Sequence, residues 1–131
     1  MILGIGTDIV NVKRLEKGEA FLNRFIRRCL TEEEQQQMAR RGLADISAEV
    51  LYLAKRFAAK EAVVKAIGTG FRDGIYLSDI SVFNDDDGRP LVTLSGNAEK
   101  YVQKHISRNY KIHLSLSDDY PFAVAFAMLE V

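Results

Sequence analysis

The segment 111–131, KIHLSLSDDYPFAVAFAMLEV, decides the fold class. Polar and apolar residues alternate strictly over 111–117, which predicts a strand with one face turned inward and one outward. A turn at 118–121 leads into an apolar strand over 122–131. The two strands predict an antiparallel hairpin at the end of the chain.

A second hairpin is predicted upstream of the first. Residues 80–83 and 90–94 read as strands on either side of the turn Asp85-Asp86-Asp87-Gly88. A helix over 97–107 joins the two hairpins. Consecutive hairpins combined with helices favour an α+β fold, with an antiparallel or mixed sheet packed against the helices.

The first half of the chain reads as one strand followed by helices. The strand covers 2–10, and its Gly4, Gly6 and Asp8 share one face, so another chain or a ligand is expected to approach the backbone closely there. A helix is predicted over 12–30. Thr31 and Glu34 form a capping box for a short helix that stops near residue 42.

A longer helix is predicted from an N-cap at Ser47 to Ile67, where Gly68-Thr69-Gly70 ends it. Its densest polar stretch is RFAAKEAVVK, residues 56–65. Helical spacing brings Glu61 and Lys65 to one face, flanked by small alanines that leave room for a ligand. An ordinary surface ion pair between these two residues is the competing interpretation.

Composition indicates one domain over residues 1–131 and excludes several functional classes. Lysine plus arginine and aspartate plus glutamate are both 18, so the net charge is zero and nothing global favours nucleic acid. The longest apolar run, 122–129, is too short to span a bilayer. The single cysteine, Cys29, cannot form an internal disulfide. We therefore expect a soluble cytoplasmic protein that binds neither nucleic acid nor membrane.

The carboxylates of Asp8 and Glu61 are the strongest candidates for chemistry. Together they would offer hard oxygen ligands to Mg²⁺, which typically uses one or two carboxylates together with waters and substrate phosphates. Lys65, one helical turn beyond Glu61, would then face those phosphates as a point charge. For Asp8 alone, an N-cap of the helix that follows is the competing interpretation.

Two further groups of polar residues remain ambiguous. His113, Ser115 and Ser117 project from one strand face, where His113 is either a proton acceptor or a half-exposed polar position. Residues 11–30 carry six basic and two acidic side chains, which indicates either a solvated helix face or a docking surface for an acidic partner.

Three stretches in this order resemble a known family across essentially the whole chain. They are GIGTDI at 4–9, RFAAKEA at 56–62 with its continuation to Gly70, and HLSLS at 113–117. The chain resembles holo-[acyl-carrier-protein] synthase, the short bacterial type of 4′-phosphopantetheinyl transferase. The resemblance implies a 4′-phosphopantetheinyl transferase-like fold, a homotrimer with sites at subunit interfaces, and a role in fatty acid biosynthesis. It also implies Mg²⁺-dependent transfer of 4′-phosphopantetheine from coenzyme A to a serine of apo acyl carrier protein, with release of adenosine 3′,5′-bisphosphate.

The resemblance also implies roles for individual residues of this chain. Asp8 and Glu61 fall on the metal ligands, and the catalytic set comprises Asp8, Glu61, Lys65 and His113. The residues expected to contact coenzyme A are Arg56, Lys65, Gly68, Pro90, His113 and Ser115. Those expected to dock the acidic carrier protein are Arg14, Arg24 and Arg28.

The chain departs from the family pattern at two places. Many members continue the third motif as Ser-His-Thr, whereas this chain has Ser117-Asp118-Asp119, so no histidine role at position 118 applies. Val64 stands where relatives often carry serine, so a serine contact to coenzyme A is not expected there.

Sequence reasoning leaves the general base and two other functions open. The carrier serine could lose its proton to a water on the metal, to Glu61 or to His113. A metal-dependent hydrolase of nucleotide phosphates would use the same Asp8, Glu61 and Lys65. A non-catalytic module that grips nucleic acid or an acidic protein through the basic helix would need no metal.

Overall fold

A computed structural model describes residues 1–131 as five strands, four α-helices and two short 3-10 helices. In chain order the elements are β1 (Ile2–Asn11), a 3-10 helix (Val12–Leu15), α1 (Glu19–Cys29), α2 (Glu32–Arg40), α3 (Ile46–Ile67), a 3-10 helix (Leu77–Asp79), β2 (Ile80–Asn84), β3 (Pro90–Leu94), α4 (Gly96–His105), β4 (Lys111–Asp119) and β5 (Phe122–Glu130).

The strands form two separate antiparallel sheets. One has the order β1-β5-β4, and the other is the hairpin of β2 and β3. Both hairpins predicted from the sequence are confirmed, and so is the α+β class. The N-terminal strand β1 pairs with the last strand, β5, which brings the two ends of the chain together.

The glycine face of β1 packs directly on the long helix α3. A Cβ atom added at Gly4 would lie 1.9 Å from the carbonyl oxygen of Ala66, and one added at Gly6 would lie 2.0 Å from that of Ala62. No side chain fits in these gaps, so strand and helix backbones meet directly. The close approach expected at these glycines is therefore confirmed, but the expected partner is wrong: a helix of the same chain approaches, not another chain or a ligand.

Helix α3 begins two residues earlier than predicted. Asp45, not Ser47, is the N-cap, because its Oδ1 accepts a hydrogen bond from the Ala48 backbone amide at 2.9 Å. The helix ends at Gly68, whose φ of 96° is the left-handed conformation that the predicted glycine stop requires.

The single helix predicted over 12–30 is wrong. The structure has a 3-10 helix followed by α1, and Gly18 with a φ of 89° separates them. The Asn11 side chain accepts the Lys13 amide at 3.1 Å and starts the first turn as a local cap. Glycine at position 18 supplies the left-handed backbone that interrupts the helical pattern.

A buried ion pair joins the helices to the smaller sheet. Lys60 is completely buried, and its Nζ donates to Glu34 Oε1 at 2.6 Å, to the Cys29 carbonyl at 2.5 Å and to the Leu77 carbonyl at 3.1 Å. The other oxygen of Glu34 accepts the Val82 amide at 3.0 Å. The predicted capping box at Thr31 is present as well, but no sequence pattern indicated that its Glu34 also pairs with a buried lysine.

The face of the larger sheet that points away from α3 is exposed and apolar. Ile5 is 62% exposed and Ile9 60%, and Phe126 on β5 is 41% exposed beside them. We call this the outer sheet face. No helix in the chain combines the length and apolar character needed to cross a bilayer.

Candidate active site

The structure brings Asp8, Glu61 and Lys65 together where β1 meets α3. Asp8 shares the face of Gly6, so its carboxylate points toward the helix. Lys65 Nζ donates to Asp8 Oδ1 at 3.1 Å and to the Thr7 carbonyl at 2.9 Å. Lys65 therefore pairs with Asp8, and the alternative Glu61–Lys65 surface pair is not formed. The cap alternative for Asp8 is also wrong, because Asn11 caps the turn that follows.

The charge state of Glu61 reflects its place beside Asp8. Burial raises the pKa of the Glu61 carboxyl, the negative charge of Asp8 raises it further, and Lys65 lowers it in part. The two carboxylates are thus close enough to repel each other, and a cation between them would relieve that repulsion.

The donor set fits a magnesium ion. No cluster of three or more His, Cys, Asp or Glu side chains exists in the chain, so the protein offers two carboxylates here. Mg²⁺ commonly takes one or two carboxylates and leaves its other positions to water and phosphate. Lys65 holds one oxygen of Asp8 and is half exposed, so its flexible side chain can move to a phosphate when a cation binds.

A cavity of about 440 Å³ opens beside Glu61. Its walls are largely aromatic and aliphatic, and Arg28 from the end of α1 reaches into it. Phe57, Glu61 and Arg28 thus share one space, although 33 residues separate the arginine from the glutamate. The cavity can take an apolar group beside the Glu61 carboxylate.

A second cavity, of about 520 Å³, is basic. We call it the basic cavity. Its lining contains no carboxylate and four cationic side chains, those of Arg41, Lys55, Arg56 and Arg89. Pro90 and Ser115, both expected to contact coenzyme A, also line it. This lining is suited to a ligand with several negative charges.

Arg56 is the most constrained of these cations. It is 3% exposed, donates through Nη2 to the Asn84 side chain, and stacks over the Tyr52 ring at 4.5 Å. Its Nε has no partner in the structure. A guanidinium that lines a cavity and has no carboxylate partner is available to bind an anion.

Sequence reasoning missed several members of the basic cavity. Four lining residues were not singled out: Arg41 directly follows α2, Tyr52 and Lys55 lie on α3, and Asn84 ends β2. Only Tyr52 carried a usable signal, because it precedes Arg56 by four residues and so lies on the same face of α3.

His113 lies apart from the carboxylates. It projects from the outer sheet face of β4, as the alternation predicted, and its Nε2 lies 3.2 Å from Glu130 Oε1. That hydrogen bond lowers the pKa of Glu130. Asp8 points to the opposite face of the same sheet, so one protomer does not bring His113 and Asp8 together.

The remaining predicted residues are exposed. Gly68 caps α3 with open space around it. Arg14 lies on the first 3-10 helix and Arg24 on α1, and neither they nor Arg28 form an ion pair. At the two departures from the family pattern, Val64 is fully buried and Asp118 pairs with Lys55.

Comparison with known proteins gives a consistent result. Residues 4–125 match the model of the 4′-phosphopantetheinyl transferase superfamily. The chain is 42% identical to a holo-[acyl-carrier-protein] synthase of Rhizobium leguminosarum bv. trifolii, over 99% of this chain and 96% of the relative. It is 46% identical to one of Paramagnetospirillum magneticum, over 99% of this chain and 97% of the relative.

Solved structures agree. A holo-(acyl-carrier-protein) synthase from Bacillus anthracis, in complex with CoA (3′,5′-ADP), is similar with a TM-score of 0.79 and 38% identity, covering 99% of this chain and 97% of that one. A synthase from Neisseria meningitidis has a TM-score of 0.81 at 38% identity and covers both chains fully.

Proposed function

Because this chain belongs to the 4′-phosphopantetheinyl transferase superfamily, we propose that Asp8, Glu61 and Lys65 form its catalytic centre and that the basic cavity holds the nucleotide end of coenzyme A. The enzyme is a phosphopantetheinyl transferase of the holo-[acyl-carrier-protein] synthase type. It transfers the 4′-phosphopantetheinyl group of coenzyme A to a serine of apo acyl carrier protein, releasing adenosine 3′,5′-bisphosphate. The hydrolase and binding-module alternatives are not favoured.

Asp8 and Glu61 would hold Mg²⁺, supported by their mutual repulsion and by the preference of Mg²⁺ for carboxylate oxygens. A bound Mg²⁺ supplies charge neutralisation on the pyrophosphate during transfer. Lys65 exchanges Asp8 for a phosphate oxygen of the substrate and stabilises negative charge there as a point charge.

Glu61 accepts the proton of the carrier serine. The serine oxygen forms a bond to the transferred phosphorus, and the bond from that phosphorus to the leaving bisphosphate breaks. The raised pKa of Glu61 supports this role, since a more basic carboxylate is a better proton acceptor near neutral pH.

The basic cavity supports binding of the bisphosphate end, with Arg56 as its buried anchor and Pro90 and Ser115 in its wall. Gly68 and Lys65 lie at the end of α3 and are assigned to the same ligand. We assign the cavity beside Glu61 to the pantetheine arm, which its aromatic and aliphatic walls support.

A homotrimer with shared sites accounts for two features. The outer sheet face exposes Ile5, Ile9 and Phe126 side by side, and neighbouring exposed apolar side chains often mark a protein–protein interface. His113 lies on that same side of the sheet, remote from Asp8 of its own protomer. In a cyclic assembly, the outer face of one subunit would carry His113 toward the carboxylates of its neighbour.

Subunit mixing tests this arrangement. The resemblance puts His113 in the catalytic set and at coenzyme A, so we expect both His113→Ala and Glu61→Gln to be inactive or nearly so when separate. A refolded equal mixture should recover up to about a quarter of wild-type activity, because one interface in four combines the two intact residues. A mixture that stays as inactive as its components would contradict sites shared between subunits.

The exposed arginines Arg14, Arg24 and Arg28 are assigned to docking of the acidic carrier protein. Arg28 also reaches the cavity of Glu61, which supports arrival of the carrier serine from that side. We assign the reaction to fatty acid biosynthesis in the cytoplasm, carried out by one catalytic domain over 1–131. The lone buried Cys29 is compatible with a reducing compartment.

The intact mass of an apo acyl carrier protein tests the function directly. Incubated with this enzyme, coenzyme A and Mg²⁺, the carrier is expected to gain one phosphopantetheine group, and a chelator is expected to abolish the gain. Added Mg²⁺ should restore it. Transfer that survives the chelator would contradict the metal assignment, and no transfer to any carrier by folded enzyme would contradict the function.

A further inference from the structure

One cation of the basic cavity is held by a carboxylate from outside its wall. Lys55 Nζ lies 2.9 Å from Asp118 Oδ2, and the two side chains are 30% and 35% exposed. Asp118 stands at the end of β4, just beyond the cavity-lining residues Leu114, Ser115 and Leu116.

The other three cations are less restrained by negative charge. Arg89 lies 3.6 Å from Asp85 through Nε and is 72% exposed, so that contact is loose. Arg41 and Arg56 both lie over the Tyr52 ring and have no carboxylate partner. Lys55 is therefore the cation whose availability depends most on a single acidic residue.

We propose that Asp118 determines how tightly the cavity holds its phosphate-bearing ligand, by competing with that ligand for Lys55. This inference rests on the proposed function, which supplies the ligand. A phosphate that enters the cavity gains the full attraction of Lys55 only if the ammonium leaves Asp118. The carboxylate thus weakens binding of coenzyme A and of the bisphosphate product, and it favours product release.

The expected size of the effect is modest because the pair is partly exposed. Pairs of this kind correspond to a change in affinity of about two- to fivefold. Asp118→Asn keeps the shape of the side chain and removes its charge, so it should tighten binding by that factor. Lys55→Met should weaken binding, since it removes a cation from the wall.

A double-mutant cycle separates this mechanism from a general charge effect. The dissociation constant of adenosine 3′,5′-bisphosphate is measured by calorimetry for wild type, Asp118→Asn, Lys55→Met and the double variant. Asp119→Asn is the matched control, because Asp119 is the exposed neighbour and forms no ion pair. We expect Asp118→Asn to tighten binding in the presence of Lys55 but not in the Lys55→Met background, and Asp119→Asn to leave it unchanged.

The possible failures are distinguishable. Suppose first that wild type binds the bisphosphate and transfers the phosphopantetheinyl group. The role of Asp118 alone would then be overturned by any of three results: equal tightening by Asp118→Asn and Asp119→Asn, tightening that persists without Lys55, or no change in affinity at all. Folded wild-type enzyme that binds neither the bisphosphate nor coenzyme A would overturn both this inference and the proposed function.

Discussion

Glu61→Gln is expected to reduce phosphopantetheinyl transfer by about 10²- to 10⁴-fold, the range associated with loss of a positioned general base. The side-chain amide that replaces the carboxylate cannot accept the serine proton. It also cannot share a cation with Asp8 as a carboxylate does. Because Glu61 makes no hydrogen bond within the fold and is repelled by Asp8, the substitution should leave stability unchanged or slightly raised. Turnover of coenzyme A and the thermal unfolding midpoint are the two measurements.

Glu49→Gln is the matched control for this substitution. Glu49 lies on the same helix, α3, in its first turn, about 18 Å from Glu61 along the axis at the usual rise per residue. It should retain wild-type turnover. A Glu61→Gln enzyme with activity within a fewfold of wild type would exclude Glu61 from both proposed roles.

Lys60→Met is expected to lower the free energy of unfolding by about 3–5 kcal/mol, the usual cost of removing one partner from a buried ion pair. The substitution leaves Glu34 buried beside the Cys29 and Leu77 carbonyls with no cation to balance it. Urea unfolding followed by circular dichroism measures the loss.

Two further variants keep this prediction testable. The double variant Glu34→Gln/Lys60→Met removes both charges and should recover part of the stability, even if Lys60→Met alone does not fold. Lys55→Met, on the same helix but only partly buried, should cost less than about 1 kcal/mol. A Lys60→Met protein with the urea midpoint of wild type would show that the buried pair contributes little.

Local patterns were enough to predict most of the secondary structure. Strict alternation over 111–117 and the turn chemistry before residues 90 and 122 specified both hairpins, and Gly68 specified the end of α3. The predicted helix over 12–30 failed because its apolar spacing continues through Gly18, where the backbone turns left-handed. Apolar spacing describes which side chains are buried but not whether the chain between them stays helical.

The site was predictable only where its members are close in sequence or share a motif. Glu61 and Lys65 are one helical turn apart, and Asp8 was joined to them first by its chemistry as a Mg²⁺ ligand and then by the resemblance. The Lys60–Glu34 pair was not predictable, because 26 residues separate its partners and a lysine in a helix is ordinarily exposed. The separation of His113 from Asp8 depends on strand order and register, which no local pattern specifies.

The direct contact between β1 and α3 affects how this protein can diverge over evolution. At Gly4 and Gly6 the strand lies against the Ala66 and Ala62 carbonyls, so main-chain atoms set the distance between the two elements that carry Asp8 and Glu61. Core residues elsewhere can be exchanged for other apolar residues and repack while the distance between β1 and α3 stays constant. Any side chain at either glycine would instead push the elements apart. Selection should therefore tolerate variation through most of the core and almost none at these two glycines.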